Sequence, residues 1–394
     1  METLWYCPTS MKRFLLITRN FPPLVGGMER LVFNIYKQLA KHHDCDVIGP
    51  PGSGASVQDS HQSYECRLNP VPIFILSAIF KGIRASSSRN YRACIAGSGL
   101  TAPVAVMVSK IRGLKSITFV HGLDLIVRNR FYQLIFIPFI RRSDIVVANS
   151  HNTAKLAEQA GVLPEKIILL HPGVDLPGET PPQQEFRQQY QLQGKSMLLS
   201  VGRLIPRKGL AEFIRHALPA IVEQHHNTIL VIIGSEAENA LSRPSKILDD
   251  IQTAIRQNSL EQHVLMIGRT DEHTLQAAYR EANCFIFPLK NIPGDVEGFG
   301  MVAVEAAAHG LPTVAFSEGG VSDAVSEGES GFLISPGDYD AYSQTLIGCL
   351  KGTIAMPSAS SCRAFAECFH WDNFGDRLRR IVNLTPAQTS LETE

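Results

Sequence analysis

Two glutamates bracket a glycine-rich turn in Glu297-Gly298-Phe299-Gly300-Met301-Val302-Ala303-Val304-Glu305. The apolar run Cys284-Phe285-Ile286-Phe287-Pro288 ahead of it predicts a buried strand. The alanine-rich stretch after Gly300 predicts a helix that stops at Gly310-Leu311-Pro312. A strand, a glycine turn and a helix in that order present unpaired backbone N–H groups at the positive end of the helix dipole, which favours phosphate. A carboxylate facing such a pocket accepts bonds only from hydroxyl or N–H donors, which suits sugar and ribose hydroxyls. Glu297 lies in the loop and Glu305 about two helical turns later, so the two need not share a task. Taken alone, the stretch fits a solvent-facing glutamate pair beside an ordinary turn equally well.

A second charged set follows another apolar run. Met197-Leu198-Leu199-Ser200-Val201 reads as a strand and leads into Gly202-Arg203-Leu204-Ile205-Pro206-Arg207-Lys208-Gly209. Cations beside a strand end can clamp a diphosphate, arginine through a bidentate fork and lysine as a point charge. Gly234 and Gly268 end two further predicted strands of the same half and would line the pocket for a base. In the first half, Gly26 and Gly27 close a turn-rich stretch before a predicted helix, where they let a ligand approach the backbone. His121-Gly122-Leu123-Asp124 and Asn149-Ser150 also stand just after predicted strands. A histidine there can donate or accept a hydrogen bond near neutral pH, although a structural role is the commoner one.

The elements that must position these residues repeat the same pattern. Apolar runs at Phe14-Thr18, Val47-Ile48, Cys94-Ala96, Ser116-Val120 and Asp144-Ala148 alternate with helical or loop segments. A second series comprises Met197-Val201, Ile229-Gly234, Val264-Gly268, Cys284-Pro288, Thr313-Phe316 and Gly331-Ile334. Strands alternating with helices imply parallel βαβ units, which bind ligands at the carboxyl ends of their strands. The chain has 394 residues, more than one ordinary core accommodates. The Pro, Gln and Glu-rich stretch from Gly178 to Gln193 reads as a linker, so residues 1–182 and 183–370 form two domains. The segment 371–394 would pack back on the first of them. Residues 1–10 read as a loose leader, with Met11 an alternative start.

Net charge is zero, yet residues 1–180 hold 20 Lys/Arg against 12 Asp/Glu (+8) and residues 181–394 hold 17 against 25 (−8). A basic first half suits an anionic membrane surface or an acidic acceptor. Phe131 to Ile140, flanked by Arg128, Arg130, Arg141 and Arg142, can dip into a bilayer surface, but reads more readily as a core helix leading into the Asp144 strand. That run and Val71 to Phe80 are both too short for a span of about 20 residues. The eight cysteines show no CxxC pair and no zinc-type spacing, which fits a reducing cytoplasm.

In their order along the chain, Gly26-Gly27, His121-Gly122-x-Asp124, Asn149-Ser150, Pro172-Gly173-Val174-Asp175, Val201-Gly202-Arg203-Leu204 with Lys208-Gly209, and Glu297-Gly298-Phe299-Gly300 with Glu305-Ala306 make a specific set. The chain resembles the retaining glycosyltransferases of glycosyltransferase family 4 over nearly its whole length. The resemblance implies an α/β, GT-B fold of two Rossmann-like doubly wound domains facing a central cleft. It implies that Arg203 and Lys208 neutralise the donor diphosphate and that the backbone of Phe299, Gly300, Met301 and Val302 caps its phosphates. Glu305 would hold the ribose, Glu297 the donor-sugar hydroxyls and His121 the 6-hydroxyl, while Gly27 admits the phosphate and acceptor. A GT-B donor site needs no metal. The triplets Asp44-Cys45-Asp46, placed before a strand, and Asp338-Tyr339-Asp340, placed at a turn or helix cap, read as accidental. Two departures from the family pattern are Lys290 to Val296 and Val321, where many relatives carry an acidic residue.

The expected activity is metal-independent transfer of a hexose from a UDP- or GDP-sugar, with no further cofactor, to a lipid-linked or polysaccharide acceptor. Lipopolysaccharide or exopolysaccharide assembly is the expected setting. A cytoplasmic location with peripheral contact to the inner face of the membrane goes with it, and no nucleic-acid partner. A nucleotide-sugar epimerase of the same fold and a catalytically silent glycan-binding relic are the alternatives. A dehydrogenase is disfavoured because no GxGxxG follows the first strand.

Overall fold

A computed structural model describes residues 11–178, 184–236 and 247–384. The expected leader, residues 1–10, lies outside these, as do 179–183 of the linker and 385–394 of the tail. The described residues of Met1–Pro172 with those of Trp371–Glu394 form one compact unit, and those of Gly173–His370 form a second. The chain thus passes between units ahead of the Pro/Gln-rich stretch. The short helix Glu185–Gln189 in that stretch belongs to the second unit, with Phe186 buried.

The first unit carries β1 (Arg13–Ile17), β2 (Asp44–Gly49), β3 (Ser63–Glu65), β4 (Ala93–Ala96), β5 (Lys115–Val120), β6 (Ile145–Ala148) and β7 (Ile167–Leu169). They pair in the order β3-β2-β1-β4-β5-β6-β7. The second carries β8 (Ser196–Val201), β9 (Thr228–Ile233), β10 (Val264–Gly268), β11 (Cys284–Phe287), β12 (Thr313–Phe316) and β13 (Gly331–Ile334), in the order β10-β9-β8-β11-β12-β13. All pairings between these strands are parallel. Most of the strands are largely apolar runs because helices cover both faces of a parallel sheet. β3 and β7, the two three-residue edge strands, lie outside the sequence reading; Ser63-Tyr64-Glu65 carries no apolar pattern, whereas Ile167-Ile168-Leu169 is a short apolar run.

In the first unit, helix Gly27–Ala40 packs on one face of the sheet together with the closing helix Trp371–Asn383. Trp371, Phe374, Leu378, Ile381 and Val382 recur at helical spacing and join Leu31, Ile35 and Leu39 in one core. Burying side chains of this size is worth roughly 1.5–3 kcal/mol each. Helices Val71–Ser88, Ala102–Arg112 and Arg130–Arg142 pack on the other face.

Three expectations are corrected here. The Val71 run continues to Ser88, so among the described residues one helix is long and apolar enough to cross a membrane by length and composition, although Phe74, Ala78 and Ala85 are buried in the core. Helix Arg130–Arg142 is not a core helix, because only Ile137 and Ile140 of its residues are buried. Asp44-Cys45-Asp46 lies inside β2 rather than before it. There Arg13 pairs with both carboxylates, at 2.5 Å from Asp44 and 3.0 Å from Asp46. Asp338, by contrast, caps a helix by accepting from the Ala341 N–H at 2.9 Å.

Candidate active site

In the second sheet the order reverses at β8, with β9 on one side and β11 on the other. Connections leave these strands in opposite directions and open a crevice at their carboxyl ends. The loops after β8 and β11 carry Arg203 to Lys208 and Glu297. Lys208 Nζ donates to Glu297 Oε2 at 3.0 Å, and Arg207 donates to the same oxygen at 3.3 Å while also pairing with Asp295. The ammonium of Lys208 lies 4.4 Å from the centroid of the Phe287 ring, within cation–π reach. Burial works to raise the Glu297 carboxyl, but Lys208 and Arg207 prevail and hold it below the usual carboxylate range. Burial likewise lowers the Lys208 ammonium, with Glu297 opposing it.

The loop around Glu297 is braced from two directions. Lys290 N–H donates to the Arg207 carbonyl at 3.0 Å and Asp295 N–H to the Ile292 carbonyl at 2.9 Å, a tight turn that carries Asp295 to Arg207. From the other side Gly320 N–H donates to the Glu297 carbonyl at 2.9 Å. A Cβ on Gly320 would collide with the backbone of Gly298 and Phe299, so only glycine admits this approach. Gly300, at φ 102°, then turns the chain into helix Met301–Ala308, whose first turn has no acidic residue. The leading N–H groups of a helix have no acceptor within it, and this one begins where Gly300 lies against the Phe287 ring at the end of β11.

Glu305, on that helix, has a different environment. Tyr279 Oη donates to Glu305 Oε2 at 3.3 Å, and the Tyr279 ring stacks on His309 with centroids 5.0 Å apart. His309 Nδ1 donates to the Glu305 carbonyl at 2.8 Å. Gly234 N–H donates to the Gly268 carbonyl at 2.8 Å, so the two glycines are neighbours at the ends of β9 and β10.

In the first unit the order reverses at β1, between β2 and β4. Gly26 caps helix Gly27–Ala40 at the end of the β1 loop, and the space where a Gly27 side chain would lie is open. His121 follows β5 and is buried. Its Nε2 donates to the Gly97 carbonyl at 2.9 Å, and because a carbonyl only accepts, Nε2 carries the proton. In the Nε2–H tautomer Nδ1 is an acceptor, and this buried nitrogen has no hydrogen-bond partner among the described residues. The Asp124 carboxylate holds the loop by accepting from the N–H groups of Gly99 at 3.1 Å and His121 at 3.3 Å. Ser150 caps helix His151–Gln159 by accepting from Thr153 N–H at 3.0 Å.

Two family models match this chain in succession, one described as Glycosyltransferase Family 4 over residues 25–177 and one as Glycosyl transferases group 1 over residues 182–367. The chain belongs to glycosyltransferase family 4. It is 25% identical to the GDP-mannose-dependent alpha-(1-6)-phosphatidylinositol monomannoside mannosyltransferase of Mycolicibacterium smegmatis, over 94% of this chain and 98% of that one. A D-inositol 3-phosphate glycosyltransferase of Jonesia denitrificans is 28% identical over 64% of this chain and 60% of its own. Among solved structures, Anabaena HepE in complex with UDP-glucose superposes with a TM-score of 0.76 at 19% identity, covering 94% of this chain and 99% of that one. The fold is GT-B and the protein is a glycosyltransferase.

In this family 4 glycosyltransferase the sequence-predicted residues fall in two groups. Lys208 and Glu297 are brought into direct contact in the second unit, which also carries Gly234, Gly268, Phe299 to Val302 and Glu305. Gly26, Gly27 and His121 belong to the first unit. Arg203 is exposed, and the buried guanidinium beside Glu297 is that of Arg207. Sequence reading groups Arg207 only with the other cations after β8 and gives no role to Asp295, Gly320, Tyr279 or His309. Asp295 lies inside the Lys290 to Val296 departure, and that oddity was its one signal.

His309 makes this site sensitive to acid. Burial, aided by Arg280, lowers its imidazole to about 4. The unfolded chain takes up this proton first, so stability is lost as pH falls from about 6.5 toward about 4, by roughly 2 kcal/mol at pH 5. Denaturant titrations at pH 7 and pH 5 should show this loss, and His309→Asn should reduce it.

Proposed function

We propose that this protein is a retaining, metal-independent hexosyltransferase that acts in the cytoplasm. It moves a hexose from a GDP- or UDP-sugar to a hydroxyl of a lipid-linked glycan acceptor of the cell envelope. The observation that carries this reading is the Lys208–Glu297 contact at the β8 and β11 strand ends, beside the start of helix Met301–Ala308. Breaking the glycosyl–phosphate bond sends its electron pair to the diphosphate and leaves positive charge on the sugar. Lys208, Arg203 and the helix N–H groups meet the negative charge and lower the barrier. The acceptor hydroxyl attacks the anomeric carbon on the face from which the diphosphate departs, and its proton passes to the departing phosphate oxygen. Glu297 accepts from donor-sugar hydroxyls, Glu305 from ribose hydroxyls, and His121 Nδ1 accepts from a substrate hydroxyl. The mannosyltransferase relative that matches this chain end to end supports a lipid-linked acceptor.

The test is a thermal-shift panel of GDP-, UDP-, ADP- and dTDP-sugars followed by product analysis. A true donor at a hundred times its Kd adds about 2.7 kcal/mol of stability, and its sugar should appear on the acceptor with the anomeric configuration unchanged. A chain that no nucleotide sugar stabilises, or an inverted product, would sink the reading.

A further inference from the structure

The three helices on one face of the first sheet carry more apolar surface outward than their core requires. On Val71–Ser88, Ile73, Leu76 and Phe80 recur at spacings of three and four and are exposed, the last two at 68% each. Helix Ala102–Arg112 packs against it and exposes Met107 and Ile111. Helix Arg130–Arg142 packs against that one in turn and exposes Phe131 at 76%, Leu134 at 75% and Ile135. Each set keeps the spacing of a single helix face, so the three stripes belong to neighbouring elements of one layer.

Charge accompanies these stripes. Residues 66–143, which contain all three helices, hold twelve Lys/Arg and one acidic residue, Asp124. Asp124 is turned inward, where its carboxylate accepts from the Gly99 and His121 N–H groups. On helix Arg130–Arg142 the basic and apolar groups converge, because Arg128, Arg130 and Arg141 line an open groove of about 420 Å³ together with Leu134, Ile137 and Pro138. Neither Arg128 nor Arg130 has an ion-pair partner among the described residues.

We infer that this three-helix face docks on a bilayer containing anionic phospholipid, with Leu76, Phe80, Phe131 and Leu134 entering the headgroup boundary and Arg128, Arg130 and Arg141 taking lipid phosphates. Apolar stripes bounded by arginine match an interface that is anionic at the surface and apolar beneath. A second copy of the chain is a poor occupant, since a two-fold contact would set arginine against arginine. Nucleic acid offers phosphates but nothing for exposed leucine and isoleucine to enter. The inference uses no donor-site residue and stands whether or not the proposed reaction is correct.

Flotation of the full chain with vesicles of phosphatidylcholine alone, or with added phosphatidylglycerol, tests it. Wild-type protein should bind the anionic vesicles about tenfold or more tightly than the neutral ones, and high salt should weaken that preference. F131S/L134S and L76S/F80S should each lower binding about tenfold, and R128E/R130E should bring it to the neutral-vesicle level. All these side chains are exposed, so melting temperature and donor-induced thermal shift should remain at wild-type values. That separates failure here from failure of the donor site. Absence of vesicle binding, equal binding to both vesicles, or binding unchanged by the three pairs would overturn the inference. So would a dimer that F131S/L134S dissociates and that does not bind vesicles.

Discussion

Lys208→Ala should lower kcat for glycosyl transfer by roughly 10²–10³-fold, the usual effect of removing one group aimed at charge that develops in the transition state. The loss should fall on kcat, because the charge Lys208 meets grows as the glycosyl–phosphate bond breaks. Glu305→Ala should differ. Ribose hydroxyls are the same in ground and transition states, so this variant should chiefly raise the donor KM or Kd. The fold should survive both changes, since Arg207 still contacts Glu297 after Lys208 is gone. Steady-state kinetics and donor titration, with circular dichroism as the control, check both. Near-normal transfer by the two variants would remove Lys208 and Glu305 from the donor site.

Asp46→Ala should produce the largest stability loss, with no direct effect on donor chemistry. Asp46 is fully buried in β2 and accepts from Arg13 at 3.0 Å, Arg89 at 3.4 Å and the Gln62 N–H at 2.8 Å, with the Tyr91 hydroxyl as a further donor. Truncation strands the Arg89 guanidinium and a buried phenol at once, and leaves Arg13 with Asp44 alone. Breaking a buried pair in this way costs roughly 3–5 kcal/mol, or a fall in Tm on the order of 10 °C for a domain of this size. Calorimetry should show that fall, while donor affinity measured below the transition stays at the wild-type level. An unchanged melting temperature would mean that the network contributes nothing net.

Much of this architecture was legible beforehand because parallel strands buried on both faces are short unbroken apolar runs, which stand out in the chain. The runs at Phe14, Cys94, Met197, Ile229 and Cys284 all became strands. What failed was reading burial from composition alone. Phe131 to Ile140 is apolar enough for a core helix, yet whether a face is buried depends on which neighbours reach it: Ile137 and Ile140 are buried in the layer beneath, and Tyr132 and Phe139 only partly covered by it. The Asp44-Cys45-Asp46 triplet failed for a similar reason. Its carboxylates belong to a strand whose partners, Arg13 and Tyr91, come from other strands or loops of the chain.

The sequence by itself determined the two α/β series, the glycines at strand ends and the types of group available to a nucleotide sugar, because periodicity, turn chemistry and charge are local properties. Tertiary structure decided which of those groups act together. It put Lys208 and Glu297 in contact although 89 positions separate them, and brought in Arg207, Asp295 and Gly320 to brace them. It also split the two bracketing glutamates into one carboxylate held between cations and one held by a phenol. Strand order sets these pairings. The crevice opens where the sheet reverses at β8, and that reversal depends on hydrogen bonds between strands distant in the chain, which no local pattern encodes.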